Sequence, residues 1–215
     1  MKVTKKTKVI RSPKRGFYDK ETIYKILDNH FICQIAFVYE GYPVIIPTIY
    51  GRDNNNLYIH GATVSRMLLE LEKGVPLSIN ITQTDGIVLA RSAFHHSLNY
   101  QSVTIFGEAT LVTSENERYK ALKIISDQII PFRWEEVRLP SKKELKATKI
   151  LKIPIVEASA KIRKEPPSDE KEDYNLSIWA GEIPITSTIQ NPISDPKLKE
   201  GIPIPESVKK LMKKE

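Results

Sequence analysis

The chain predicts a mainly β, α+β fold, an antiparallel barrel of six or seven strands with peripheral helices, and three observations carry that expectation. β-rich runs of alternating polarity recur along the 215 residues, the links between them are short and turn-rich, and helical patterns occur singly between strands. The length suits one sizeable core. Three regions are expected: a basic N-terminal arm over 1–15, a barrel with its helices over 16–163, and a charged linker with a C-terminal strap over 164–215.

The elements follow in order. Asp19 caps a helix whose Ile23, Ile26 and Leu27 share one face. Residues 31–38 and 43–50 read as strands joined at Tyr39-Glu40-Gly41-Tyr42, and the turn-rich 51–56 leads to a strand ending at His60. A helix over Ser65–Lys73 stops at Gly74, and a strand over 75–83 alternates Leu77, Ile79 and Ile81 with polar neighbours. Thr84-Asp85-Gly86 then reads as a hairpin turn into residues 87–93, and residues 100–112 read as one long strand. Ser114-x-x-Glu117 and Ser141-x-x-Glu144 both have the form of capping boxes. The first opens a helix with Ala121, Leu122, Ile125 and Ile129 on one side, the second a shorter helix. Residues 151–162 return as a strand with Ile153, Ile155 and Ala158 inward, and the charged, Pro-rich Lys164–Tyr174 reads as a linker or mobile loop.

The formal charge is +7, and Lys2, Lys5, Lys6, Lys8, Arg11, Lys14 and Arg15 account for all of it, leaving residues 16–215 formally neutral. The basic character is therefore that of a solvated arm, and binding to nucleic acid is disfavoured. No apolar run approaches a membrane span and no secretory hydrophobic segment is evident, so a cytoplasmic protein is expected. The single cysteine, Cys33, lies in an apolar run and is expected to act as a small buried hydrophobe. One cysteine rules out an internal disulfide and a cysteine-cluster metal site, and no metal is expected.

Dinucleotide-binding glycine motifs, P-loops, nucleophile elbows and zinc-binding helices are all missing. The informative stretch is Leu57-Tyr58-Ile59-His60-Gly61-Ala62-Thr63-Val64-Ser65-Arg66-Met67. It reads as a strand, a polar turn and a helix whose first turn carries Ser65 and Arg66, a combination that suits a phosphate as well as it suits a simple helix cap. His60 ends the strand beside that turn. Phe94, His95, Asn99 and Tyr100 form a second polar-aromatic cluster, suited to a pocket wall or to an exposed loop. Arg133 and Arg138 fit acid binding or loop anchoring. Ser159, Lys161 and Arg163 share a strand face by their spacing, where they would meet either a phosphate or solvent.

Gly41-Tyr42-Pro43 leading to Pro47-Thr48-Ile49-Tyr50, Leu57–Gly61 with Ser65-Arg66, Asp85-Gly86, Phe94–Val103, Arg133-Trp134, Ser159–Arg163 and Trp179-Ala180-Gly181 occur in an order that resembles one family. The chain is similar to the FMN-binding split-barrel proteins related to pyridoxamine 5′-phosphate oxidase, in the branch that includes nitroimidazole-resistance proteins. The resemblance implies a split barrel with FMN at a homodimer interface. By it, Ser65 and Arg66, with Met67 adjacent, match phosphate-binding positions, and Val44, Ile45, Ile46, Pro47 and Thr48 match the strand beside the isoalloxazine ring. Ile59 and His60 match a strand end near the flavin, Gln101 and Ser102 match polar flavin contacts, and Trp179 matches an aromatic residue closing the site. Met67, Pro43 and Thr48 stand where the oxidase has basic residues, so its clamp for pyridoxal phosphate is not evident.

The expected function is that of an FMN-dependent oxidoreductase, a flavin reductase or nitroreductase-like enzyme taking electrons from a donor to a small oxidised substrate, with His60 as the residue for proton delivery. The alternatives are a non-catalytic flavin carrier and a haem-binding relative of the same barrel with a histidine ligand.

Overall fold

The computed structural model describes residues 1–212. The strands are β1 (Gly16–Phe17), β2 (Ile32–Tyr39), β3 (Tyr42–Asp53), β4 (Asn56–Ala62), β5 (Leu77–Leu89), β6 (Ser97–Gly107), β7 (Thr110–Leu111), β8 (Thr148–Pro154), β9 (Glu157–Arg163) and β10 (Gly181–Pro184). The helices are α1 (Lys20–Asp28), α2 (Arg66–Leu71), α3 (Glu115–Ile129), α4 (Lys142–Ala147) and α5 (Glu206–Met212). Seven strands run for seven residues or more, matching the expected six or seven, and three short ones extend the sheet. Pairing is antiparallel throughout in the order β1-β9-β6-β5-β2-β3-β4-β8-β7, with β10 on β5. No helix among the described residues is long and apolar enough to cross a membrane.

The core forms where the strands' inward residues meet α1 and α2. Ile35, Ile79, Ile105, Leu151 and Ile153 are fully buried, together with Ile23 and Leu27 of α1 and Leu68 and Leu71 of α2. Asp19 caps α1 as its position predicts, its carboxylate accepting the Thr22 N–H at 2.7 Å. Cys33 sits in this core, where burial pushes its thiol up to about 12 and leaves it unreactive. A smaller cluster joins Ala121 and Ile125 of α3 to Tyr58 and Ile150. There α3 comes so close to β3 that a Cβ on Gly51 would lie 2.7 Å from the Ile125 backbone.

Three elements differ from expectation. Thr84-Asp85-Gly86 is a β-bulge inside one continuous strand, not a hairpin: Thr84 faces Tyr100 and Gly86 faces Asn99, leaving Asp85 as the extra residue. The bulge moves the buried set from Leu77, Ile79 and Ile81 to Gly86 and Val88. Both edges of β5 are used, β6 along one, and β2 and then β10 along the other. β10 runs close to Gly86, where a Cβ would lie 3.1 Å from the Ile183 carbonyl oxygen. The second difference lies in the two expected long strands, which are each broken. Residues 100–112 divide between β6 and β7, and 151–162 between β8 and β9, so that each pair can serve two different strand partners.

The third difference concerns capping. At Ser141 the box is complete, with the side chain accepting from the Glu144 N–H and Glu144 accepting from the Ser141 N–H. Ser114 occupies the N-cap position of α3 without any side-chain cap bond. Ser141→Ala is therefore expected to lower stability by about 1 kcal/mol and Ser114→Ala by less than about 0.5 kcal/mol, read from urea-denaturation midpoints at constant m-value.

Candidate functional site

The site begins with a ladder that stops. β2 and β3 are joined by the two-residue turn Glu40-Gly41, so Tyr39 and Tyr42 face each other as a hydrogen-bonded pair, and the Tyr50 N–H donates to the Phe31 carbonyl. By alternation, Pro43, Ile45, Pro47 and Ile49 direct their backbone groups away from β2, toward β4. β4 pairs β3 only from Asp53 to Tyr50 and then continues on β8 alone, as far as Ala62. The two prolines thus occupy the unpaired edge, the place in a sheet that tolerates a residue with no N–H. Between them that edge offers one donor, the Ile45 N–H, and the carbonyls of Pro43, Ile45 and Pro47.

This split has β3 as one wall and the end of β4 with the first turn of α2 as the other. The Ile45 side chain is 67% exposed, while Val44, Ile46 and Thr48 are half-buried on the other face. Ser65 sits at the N-cap of α2 but makes no side-chain cap bond, so the simple-cap reading does not hold, and among the described residues its hydroxyl has no hydrogen-bond partner. Arg66 is exposed, and among the described residues it makes no ion pair; its guanidinium lies 5.2 Å from the Tyr39 ring centre. Ile59 is fully buried and Met67 is nearly so, both within the main core, which leaves only their backbones to face a ligand.

His60 is half-buried at the point where β4 leaves β3, and its buried Nδ1 has no hydrogen-bond partner among the described residues. Burial lowers its pKa from the ordinary histidine value, so the ring is neutral at neutral pH. The other histidines are engaged: His96 Nδ1 accepts the Ala90 N–H at 3.0 Å, His95 lies 3.6 Å from Glu170, and His30 faces Gln83 and Asp85.

The remaining expected residues are not gathered at the split within one chain. Gln101 and Ser102 are consecutive on β6 and point to opposite faces. Gln101 donates to Asp85 at 3.1 Å, whereas the Ser102 hydroxyl accepts from Asn80 and Thr82. Trp179 packs its ring against Gly181, which pairs with Leu89 at one end of β5; Arg66 and Tyr39 lie beyond Leu77 at the other. The strand path between those ends is about 40 Å. The polar-aromatic cluster also separates: Phe94 is 89% exposed, while buried Asn99 binds Arg163 and Glu182. Arg163, expected beside Ser159 and Lys161, is instead turned inward, donating to the Glu165 and Pro166 carbonyls. Arg133 and Arg138 are paired with Glu136 and Glu144. Sequence reasoning missed the Asn99–Arg163 pair as a structural anchor, because no local pattern distinguishes an arginine that faces solvent from one that caps carbonyls.

Residues 19–162 match the family model for pyridoxamine 5′-phosphate oxidase. No protein with a curated description matches the chain by sequence. Among solved structures, the flavocytochrome Anf3 from Azotobacter vinelandii is 34% identical with a TM-score of 0.92, over 96% of this chain and 96% of that one. The FAD and haem binding protein from Mycobacterium smegmatis is also 34% identical, with a TM-score of 0.89, over 92% of this chain and 97% of its own. A candidate 5-nitroimidazole antibiotic resistance protein from Bacteroides thetaiotaomicron shares the fold at 21% identity and a TM-score of 0.55, over 68% of this chain and 86% of that one. With two thirds of its length matched by the model and near-complete alignment to relatives at 34% identity, the chain belongs to the pyridoxamine 5′-phosphate oxidase family.

Proposed function

We propose that this chain is a flavin-binding redox protein that acts as a homodimer and holds haem as a second prosthetic group. One observation carries this reading: the two relatives that match over at least 92% of the chain are a flavocytochrome and an FAD and haem binding protein. The nitroimidazole-resistance candidate covers only 68% of the chain, whereas the flavin-and-haem relatives cover nearly all of it.

The residues at the split fit a flavin. The Ile45 N–H and the neighbouring carbonyls offer a donor–acceptor row for the polar rim of a planar heterocycle, and Ser65 and Arg66 have a free hydroxyl and an unpaired charge for a phosphate. FMN, implied by the family resemblance, and FAD, named for the Mycobacterium relative, share the ring, ribityl chain and first phosphate, so the same residues serve either. A bound flavin supplies the hydride and one-electron chemistry. His60, neutral and with an unpartnered ring nitrogen at the rim of the split, is the residue to hold or pass a proton there. Electrons would go from a reduced donor to a small oxidised acceptor, as in a flavin reductase or nitroreductase.

Arg66 and Trp179 at opposite ends of β5 support the dimer, because a site that uses both needs a residue from each of two chains. An outward apolar face of β2 and β3, with Val38 60% and Ile32 48% exposed, gives such a contact material to bury.

The purified protein should show flavin absorbance together with a Soret band, and mass spectrometry of the ligand released on denaturation should return FMN or FAD. A spectrum with neither feature would remove the reading, and bound flavin without turnover on any donor–acceptor pair would favour a carrier. Arg66→Ala should weaken binding of the flavin nucleotide by about one to two decades, the loss of a charge-assisted bond, and should leave the weak binding of riboflavin unchanged in fluorescence titration.

His60 also sets a pH dependence. The unfolded chain takes up a proton at the ordinary histidine value of 6.5, whereas native His60 resists until lower pH. Stability should therefore fall as pH drops below about 6.5 and level off below the depressed native value. His60→Gln should flatten the slope of melting temperature against pH without abolishing it, because half-buried His30, its pKa also lowered by desolvation, acts with the same sign. Light scattering across a dilution series should give a dimer that retains flavin; a 24.6 kDa monomer with undiminished flavin affinity would refute the shared site.

A further inference from the structure

The basic N-terminal arm, expected as a solvated tail, is folded onto the barrel. The Met1 ammonium reaches the Tyr18 carbonyl, the Val9 N–H donates to the Tyr18 hydroxyl at 2.8 Å, and Lys6 pairs with Glu157 at 2.8 Å. Within the arm, the Lys8 N–H donates to the Thr4 carbonyl, and Thr7 is buried with its hydroxyl accepting the Thr4 N–H. These contacts hold residues 6–11 as a roof over the outer face of β6 and β9, and between roof and sheet lies a cavity of about 300 Å³.

The lining has a definite chemistry. On the floor, Ser102 and Thr104 of β6 stand opposite Lys161 and Ser159 of β9 in register. Lys8 and Arg11 border it from the roof. Among the described residues, Lys8, Arg11 and Lys161 have no carboxylate within ion-pair distance, and the nearby Glu157 is already bound to Lys6. Tyr100 and Phe106 close the two ends of the β6 stretch, about 20 Å of strand apart. Three unpaired cations around one small cavity repel one another until an anion enters, and hydroxyls between them add donors for phosphate oxygens. An aromatic ring at either end gives a flat base something to stack on.

We infer that this cavity binds the diphosphate of a nucleotide, held between Lys161 on β9 and Lys8 and Arg11 on the arm, with its base against Tyr100 or Phe106. Two sources carry that chemistry: the adenosine diphosphate half of a flavin dinucleotide, and a free nucleotide such as a pyridine-nucleotide electron donor. None of the residues lining this cavity borders the split, so nucleotide binding here does not depend on a flavin there.

The test is calorimetric titration of ADP into the full chain, once as purified and once reloaded with FMN alone. ADP should bind saturably to at least one form, adenosine should bind to neither, and Lys161→Ala and the double variant Lys8→Ala/Arg11→Ala should each weaken ADP at least tenfold with unchanged circular dichroism. Binding to the FMN-loaded form only, with a reduced ratio of FAD to FMN in the variants, assigns the cavity to the dinucleotide's second half. Binding to both forms assigns it to a free nucleotide. No saturable ADP binding to either form, or affinity unaltered in both variants, overturns the inference. A protein that carries no flavin would defeat the reading of the split while leaving the titration and its variants fully readable.

Discussion

The feature on which the rest of this structure depends is the backbone of β3 between Tyr42 and Ile49. Two prolines, four residues apart and facing the same edge, withhold the N–H groups that a neighbouring strand would need. β4 can follow β3 only down to the Tyr50–Ile59 pair, and past that point its own hydrogen bonds run to β8. The barrel is therefore left split by covalent structure and not by a missing strand. An edge of this kind carries unpaired carbonyls and one N–H beside exposed apolar side chains, so its backbone must find partners in water, in a ligand or in another chain. The same constraint puts His60 and the start of α2 at the rim, because the chain reaches both immediately after parting from β3.

A second consequence concerns β5, the most extensively paired strand. β2 covers one of its edges only from Leu77 to Asn80, and the bulge at Asp85 turns the strand so that β10 can take over from Gly86 to Leu89. The C-terminal strap is thus bound by ordinary ladder hydrogen bonds, and the charged linker before it is anchored as well. Asp169 accepts the Arg91 and Ser92 N–H groups, while Arg163 binds the Glu165 and Pro166 carbonyls. Trp179, just before β10, is consequently fixed at one end of β5 with its indole 66% exposed.

Much of this was legible in the sequence because it depends on local chemistry. Asp19 as a cap, the Ser141–Glu144 box, the alternation of Leu77, Ile79 and Ile81, and the inward Ile153, Ile155 and Ala158 each follow from a few neighbouring residues. What was not legible depends on distant partners. Thr84-Asp85-Gly86 has the composition of a hairpin turn, and only the distant β6, which pairs with the residues on both sides of it, makes it a bulge. Ser114 has the spacing of a capping box, yet its hydroxyl makes no cap bond. At the site, the sequence marked Arg66 and His60, which flank the split. It also marked Ile59 and Met67, whose side chains are committed to the core, because pattern alone locates a segment and does not say which of its residues face outward.

Charge distribution gives the last step. All of the formal excess lies in residues 1–15, and with the arm tied down through Tyr18 and Glu157 that excess becomes a fixed property of the β6–β9 side of the molecule. Arg15 and Lys14 are neutralised by Glu165, and Lys6 by Glu157, so what remains near the cavity is the field of Lys8, Arg11 and Lys161. A flexible tail with the same composition would spread its charge over a Debye length and attract polyanions without selection. Held as a roof, it directs the charge of Lys8 and Arg11 onto a volume the size of a small molecule, with Lys161, hydroxyls and rings opposite, so that two of the seven cations that suggest a nucleic-acid partner from composition face a space suited to a compact anion.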